Sequence, residues 1–163
     1  IVVVGTGILL EDSDVTSSLT NSLYGIWDPT PVGGNDVAGF QTATGTDLVQ
    51  QTMDLAQKET YDSKDFYKIS ENEVKWQDGK RGWYLNLGVI PVPGVAAGGE
   101  RVIGDAANLG SSVVLTTTFI KNTSITLESC TSSGLSNAIY ILDALTGKNK
   151  MSFDGNGDHR PEG

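Results

Sequence analysis

Apolar and polar residues alternate over short stretches of this chain, and turn-forming residues separate the stretches. Residues 1–4 form a β-branched run that ends at Gly5, and residues 22–28 alternate between large and small or polar side chains before Pro29. Such alternation indicates β-strands, because successive side chains of a strand point to opposite faces. The pattern therefore predicts an all-β chain of short strands.

Further strands are predicted along the rest of the chain. Residues 46–60 are predicted as strand because their apolar positions fit no helical face, and Asp78-Gly79 marks a hairpin turn. The remaining predicted strands are residues 66–70, 73–76, 82–87, 101–109, 112–120, 138–143 and 150–153.

The last four of these strands predict one four-stranded blade of a β-propeller at about residues 99–154. A chain of 163 residues can bury one hydrophobic core but is short for a complete propeller. We therefore expect residues 1–163 to form a single domain or a fragment of a larger propeller. The strand-like start at Ile1, without an initiator Met, agrees with a mature or excised piece.

Composition and charge exclude several classes of function. The chain has 11 basic and 20 acidic residues and no basic stripe to neutralise a phosphate backbone, so nucleic acid is not an expected partner. No apolar run reaches the 18 residues of a membrane-spanning helix. His159 is the only histidine and lies in the tail of the sequence, so we expect no Ser-His-Asp triad. Cys130 is the only cysteine and therefore cannot form an internal disulfide. We do not expect an enzyme.

A candidate metal site lies near the end of the sequence. Asp154, Asn156 and Asp158 alternate with glycines, and Glu162 follows four residues later. This spacing allows oxygen ligands to surround a hard cation, so Ca²⁺ is the predicted cofactor. A solvated turn is the competing interpretation, because His159 stands where an EF-hand loop has glycine.

Two further features have structural interpretations. Glu100 and Arg101 are adjacent and could form an ion pair or a clamp on the backbone between blades. Six aromatic residues could stack on a sugar, but they fall within or beside predicted strands, so packing is their expected role. They are Tyr24, Trp27, Trp76, Trp83, Tyr84 and Tyr140.

Three stretches together resemble the propeller domain of the PilY/PilC family of type IV pilus proteins. They are VGTG at 4–7 followed by SLYGIWD at 22–28, RGWYLNL at 81–87 followed by GERV at 99–102, and LDALTG at 142–147. The second stretch is the most distinctive, because LDALTG also fits quinoprotein-like repeats. The resemblance implies a quinoprotein-like blade architecture and a non-enzymatic module that supports pilus assembly and surface attachment.

The resemblance also implies location and partners. Such a module is expected outside the cell, at the cell surface or pilus tip and in association with the outer membrane. Its expected partners are minor pilins or pilus tip proteins and a host or abiotic surface. The open sheet edges of a propeller fragment are expected to be covered by the rest of the parent chain or by oligomer partners.

Two alternative functions stay open from the sequence. One is a fragment of a quinoprotein dehydrogenase propeller, which the absence of vicinal cysteines argues against. The other is a Ca²⁺-responsive binding module whose fold is completed by another chain.

Overall fold

The structure is a computed structural model that describes residues 1–7, 19–28, 47–61, 63–92, 95–121 and 135–150. Within these ranges the secondary structure is almost entirely strand, which confirms the all-β prediction. The strands are β1 (Val2–Gly5), β2 (Ser22–Ile26), β3 (Leu48–Gln51), β4 (Met53–Tyr61), β5 (Lys64–Ile69), β6 (Gly82–Asn86), β7 (Val95–Val102), β8 (Ala107–Leu109), β9 (Ser112–Lys121) and β10 (Leu135–Asp143). A 3₁₀ turn spans Trp76–Asp78.

The described strands form two larger sheets and one two-stranded ribbon. The first sheet has the order β1-β2-β6-β3, in which β3 runs parallel to β6 and the other neighbours are antiparallel. The second sheet has the antiparallel order β10-β9-β7, and β8 also pairs with β9. Strands β4 and β5 form the ribbon. The second sheet lies mostly within residues 99–154, but the assignment of that segment as one propeller blade stays a prediction.

The hydrophobic core joins the two larger sheets. In the first sheet Leu23 pairs with Leu85 and Gly25 pairs with Trp83, so these residues share the face that is buried. The second sheet contributes Leu115, Tyr140 and Leu142 to the same cluster. Burial of these apolar side chains from both sheets holds them together.

Turn-forming residues produce the main departures from the predicted strands. The predicted strand at 101–109 is divided, because β7 ends at Val102 and β8 begins only after Gly104 and Asp105, which favour turns. Asp78-Gly79 does not form a hairpin. Gly79 has φ +81° and its N–H donates to the Trp76 carbonyl, so it ends the 3₁₀ turn, and residues 73–76 are not a strand.

After the turn at 143–147, the last described residues return alongside β10. Lys150 N–H donates to the Ile141 carbonyl at 3.1 Å, and Asn149 pairs with Leu142. Residues 151–153 lie outside the described ranges. In the part of the chain that the structure describes, no helix is long and apolar enough to cross a membrane.

Candidate functional site

The predicted calcium ligands Asp154, Asn156, Asp158 and Glu162 all lie outside the described residues, as does Cys130. The metal site therefore stays a prediction. Across the described ranges, no group of three or more His, Cys, Asp or Glu side chains is gathered as a metal site would require. The structure does describe two groups of buried polar contacts that connect the sheets, and we call each group a joint.

The first joint is built around Trp83 on β6, which is fully buried. Gly25 on β2 lies against one part of the indole and Gly147 lies against another, and a Cβ atom at either glycine would overlap the ring. The indole Nε1–H donates to the Ala144 carbonyl at 3.0 Å. Trp83 thus fastens the turn after β10 to the first sheet through both packing and a hydrogen bond.

The turn that Trp83 contacts, residues 143–147, is shaped by Asp143. Its Oδ1 accepts the N–H groups of Leu145 and Thr146 at 3.0 Å each and the Thr146 hydroxyl at 2.9 Å. Gly147 has φ +69° and its N–H donates to the Asp143 carbonyl at 2.8 Å. Aspartate favours such turns because its side chain bonds the backbone two or three residues further on.

Hydrogen bonds also set the ionisation of Asp143. Its partial burial raises the pKa, but hydrogen bonds from the Thr146 hydroxyl and N–H, the Lys150 ammonium and the Leu145 N–H outweigh that effect and leave the pKa below its usual range. The Lys150 Nζ lies 3.3 Å from Asp143 Oδ2. The turn is therefore held by an ionised aspartate at neutral pH.

A buried glutamine attaches the same turn to β3. Gln51 is fully buried, and its Nε2 donates to the carbonyls of Asn72 and Thr146 at 2.8 Å each. Its Oε1 accepts the Ser70 hydroxyl at 2.6 Å and the Asn72 N–H at 3.2 Å. All four hydrogen-bonding positions of the amide are thus satisfied, as a buried amide requires.

The second joint is built around Glu100 on β7, which is also fully buried. Its Oε1 accepts the Thr117 hydroxyl of β9 at 2.6 Å and the Tyr140 hydroxyl of β10 at 2.7 Å. Its Oε2 accepts the Gly88 N–H at 2.6 Å, just beyond β6. All three partners donate, which suits an ionised carboxylate because that group only accepts.

Neighbouring contacts extend the second joint to the first sheet. The Asn21 Nδ2 donates to the Glu100 carbonyl at 2.9 Å, next to the start of β2. Burial raises the pKa of the Tyr140 phenol, and the charge and hydrogen bond of Glu100 add to the rise, so the hydroxyl keeps its proton. The carboxylate is enclosed, and both of its oxygens accept hydrogen bonds that hold strands together.

The predicted Glu100–Arg101 ion pair does not form. Adjacent residues of a strand point to opposite faces, so Glu100 enters the core while Arg101 lies against Gly7. The alternative interpretation, a clamp on the backbone, agrees with the bonds from Gly88 and Asn21. The partners of Glu100 were not predicted, because Thr117 and Tyr140 are distant in sequence and carry no local signal.

The aromatic residues divide between core and surface. Trp83 and Tyr140 are buried, as expected for packing residues. Trp27 differs: 43% of its surface is exposed, and its ring meets the half-buried Trp76 edge-on with centroids 5.8 Å apart. Tyr24 and Tyr84 stack across β2 and β6 at 6.2 Å.

The three stretches that carry the family resemblance contact one another in the fold. Thr6, from the first stretch, accepts the Val102 N–H at 3.2 Å, and Gly5 packs against Val102 where a Cβ would overlap. Trp83, from the second stretch, contacts the third stretch at Ala144 and Gly147. The resemblance therefore rests on residues that join the sheets.

Comparison with known proteins agrees with this resemblance. The type IV pilus biogenesis factor PilY1 of Pseudomonas aeruginosa strain PAO1 is 36% identical in an alignment 156 residues long, which covers 90% of this chain and 12% of that protein. PilY1 of strain UCBPP-PA14 is 33% identical over 72% of the chain and 11% of its own length. A PilY1 homolog of Xylella fastidiosa strain Temecula1 is 29% identical over 90% of the chain and 9% of its own length.

No family model and no solved structure matches the chain. The chain spans only 12% of the first of these relatives, so the similarity concerns a segment of a much longer protein. Within that limit, the chain belongs to the PilY1 family of type IV pilus biogenesis factors.

Proposed function

We propose that this chain is a rigid, non-catalytic β-module of a type IV pilus biogenesis protein at the cell surface or pilus tip. In this role it supports pilus assembly and attachment to host or abiotic surfaces. It contacts minor pilins or pilus tip proteins, and other parts of its parent chain or oligomer partners cover its open sheet edges.

The observation that best supports this function is that the residues that carry the family resemblance make contacts inside the fold. The Trp83 indole lies between two glycines, and the Glu100 carboxylate accepts hydrogen bonds from three donors. Side chains used in this way fix the positions of strands and leave loops to make contacts, as in other scaffolds that present binding loops.

A segment exchange tests the proposed function. In Pseudomonas aeruginosa PilY1, the segment matched by this chain is replaced with residues 1–163, and the chimera is expressed in cells that lack their own PilY1. We expect surface pili to return, because residues 1–163 bring their own internal joints and belong to the same family as the segment that they replace. Sheared surface pilin, measured by immunoblot against the total pilin of the cells, gives the result.

The control for this exchange is a chimera without the matched segment, which should restore no surface pili. An immunoblot of the PilY1 chimera itself separates loss of protein from loss of function. A complete chimera that accumulates to the level of the natural protein and still yields no surface pili would contradict the proposed function.

We further propose that Asp154, Asn156, Asp158 and Glu162 bind Ca²⁺, since carboxylate and amide oxygens are the ligands that this ion prefers. If Ca²⁺ binds the folded chain selectively, a concentration 100-fold above the dissociation constant should add about 2.7 kcal/mol to the free energy of unfolding. Differential scanning calorimetry in 5 mM EDTA and at rising Ca²⁺ concentration measures the effect.

The matched control for the calcium prediction is Asp158→Ala, which removes one ligand and one charge. This variant should unfold at the same temperature as the natural chain in EDTA and lose most of the stabilisation by Ca²⁺. Equal transition temperatures of the natural chain with and without millimolar Ca²⁺ would refute the site.

A further inference from the structure

The ribbon of β4 and β5 projects from the two larger sheets, and we call residues 53–69 the arm. Its base is fixed to the core: Ile69 is buried, and the Ser70 N–H donates to the Thr52 carbonyl at 2.8 Å. Beyond the base, residues 55–60 of β4 are all exposed. Among the described strands, only β5 pairs with β4, so the outer edge of β4 has no neighbouring strand there.

A bulge interrupts the pairing of the arm close to its base. Asp54 is opposite Lys68 and Lys58 is opposite Tyr67, so residues 55–57 have no opposite residue in β5. The Asp54 carboxylate accepts the Ala56 N–H at 2.9 Å and fixes the start of the unpaired segment 55–57. Bulges redirect side chains and recur beside binding sites.

An open pocket of about 460 Å³ lies at the bulge. Met53 and Ile69 provide its apolar part. Its other lining residues are polar or charged: Thr52, Asp54, Gln57, Lys68, Ser70 and Glu71. This volume falls within the range of small-ligand pockets and is ample for one long side chain.

The charges of the pocket favour a cationic guest. Its lining contains the carboxylates of Asp54 and Glu71 against the single ammonium of Lys68. The ammonium of Lys58, further along the arm, is engaged by Asp65 at 3.0 Å, and that contact raises the pKa of Lys58. The whole chain carries a formal charge of -9, which adds to the attraction of a basic partner.

We propose that the arm binds an extended basic segment of a partner protein, which adds a strand to the outer edge of β4 and places a lysine or arginine side chain in the pocket. An added strand obtains affinity from main-chain hydrogen bonds and selectivity from a side-chain pocket. Asp54 and Gln57, at the bulge, contribute to the lining of the pocket, so the open edge and the pocket involve the same strand, β4. This inference does not depend on the proposed role in pilus biogenesis.

A peptide titration of the complete 163-residue chain tests the proposal. The probe is the heptapeptide acetyl-Thr-Val-Thr-Lys-Thr-Val-Thr-amide, and a second peptide has Glu in place of Lys. We expect the lysine peptide to shift the ¹⁵N–¹H resonances of residues 52–58 and 68–71, with binding about fivefold or more tighter than that of the glutamate peptide. The comparison of the two peptides needs no variant.

Asp54→Asn with Glu71→Gln should reduce the affinity for the lysine peptide about fivefold, because it removes two carboxylates and keeps the acceptor for Ala56. Glu73→Gln, which neutralises an exposed carboxylate outside the pocket lining, is the matched control and should bind as the natural chain does. Equal binding of the two peptides, resonance shifts confined to other strands, or no shift at 5 mM peptide would each overturn the proposal.

Discussion

Alanine in place of Trp83 is expected to lower the free energy of unfolding by about 3–5 kcal/mol, the usual cost of removing a large buried aromatic side chain. Trp83 is fully buried between Gly25 and Gly147 and bonds to the Ala144 carbonyl, so its loss opens a cavity where the two sheets meet. Small domains have only about 5–15 kcal/mol of total stability. The urea midpoint, followed by far-ultraviolet circular dichroism, should therefore fall steeply.

Two glycine variants separate the packing of Trp83 from backbone strain. Gly147 and Gly110 have nearly equal positive φ values, +69° and +67°, but a Cβ atom would overlap the indole at Gly147 and meets nothing within 4 Å at Gly110. Gly110→Ala should cost about 1–2 kcal/mol from left-handed strain alone. Gly147→Ala should cost about 1–3 kcal/mol more, because it also overfills the site. Equal losses in the two variants would show that Trp83 does not fix the turn.

The local part of this fold is readable from the sequence. Alternation of residue types predicted β2, β6, β9 and the end of β10, because each of these strands buries one face. The turn at Gly110-Ser111 was also predicted, and β8 and β9 meet there. The burial of polar residues within strands is harder to predict. Gln51 is a polar residue in a strand, and yet it is fully buried and all of its amide hydrogen-bonding positions are satisfied.

The long-range part of the fold was beyond the sequence pattern. The parallel pairing of β3 with β6 joins residues more than 30 positions apart, and neither strand signals its partner. Asp78-Gly79 shows a different limit, because the same dipeptide suits a hairpin or the end of a 3₁₀ turn and the surrounding chain decides between them. The convergence of Glu100, Thr117 and Tyr140 required three separate strands to be placed correctly.

The candidate site predicted from the sequence and the candidate site found in the structure lie in different parts of the chain. The alternation of oxygen-bearing residues at 154–158, with Glu162 after it, predicts a calcium site from a local pattern that is visible in the sequence without the fold. The pocket at the base of the arm was not predicted. The pocket depends on a shift in the pairing register between Asp54 and Lys58. The alternation of apolar and polar residues predicts a strand but not the position of such a shift.

Removal of the Glu100 carboxylate should have the second largest effect on stability. Glu100→Ala leaves the Gly88 N–H and the Thr117 and Tyr140 hydroxyls without their acceptor. Each orphaned donor costs about 1–3 kcal/mol, and the relief of burying a charge offsets part of the sum, so we expect a loss of about 3 kcal/mol in the free energy of unfolding. Glu100→Gln should lose less, because the amide keeps one acceptor oxygen. Urea denaturation of the variants at pH 7 measures both losses.

A double-mutant cycle shows whether the carboxylate acts through its hydrogen bonds. Tyr140→Phe removes a single donor to Glu100 and should cost about 1–2 kcal/mol, while burial keeps the ring in the core. In the Glu100→Ala background, which leaves no acceptor for the phenol, the same change should cost at least about 1 kcal/mol less, because groups that share a hydrogen bond are not additive. Ile139→Thr, at an exposed neighbouring position of β10, is the control and should give the same change in both backgrounds. Strict additivity of Glu100→Ala and Tyr140→Phe would mean that the hydrogen bond between Glu100 and Tyr140 contributes nothing to holding β7 and β10 together.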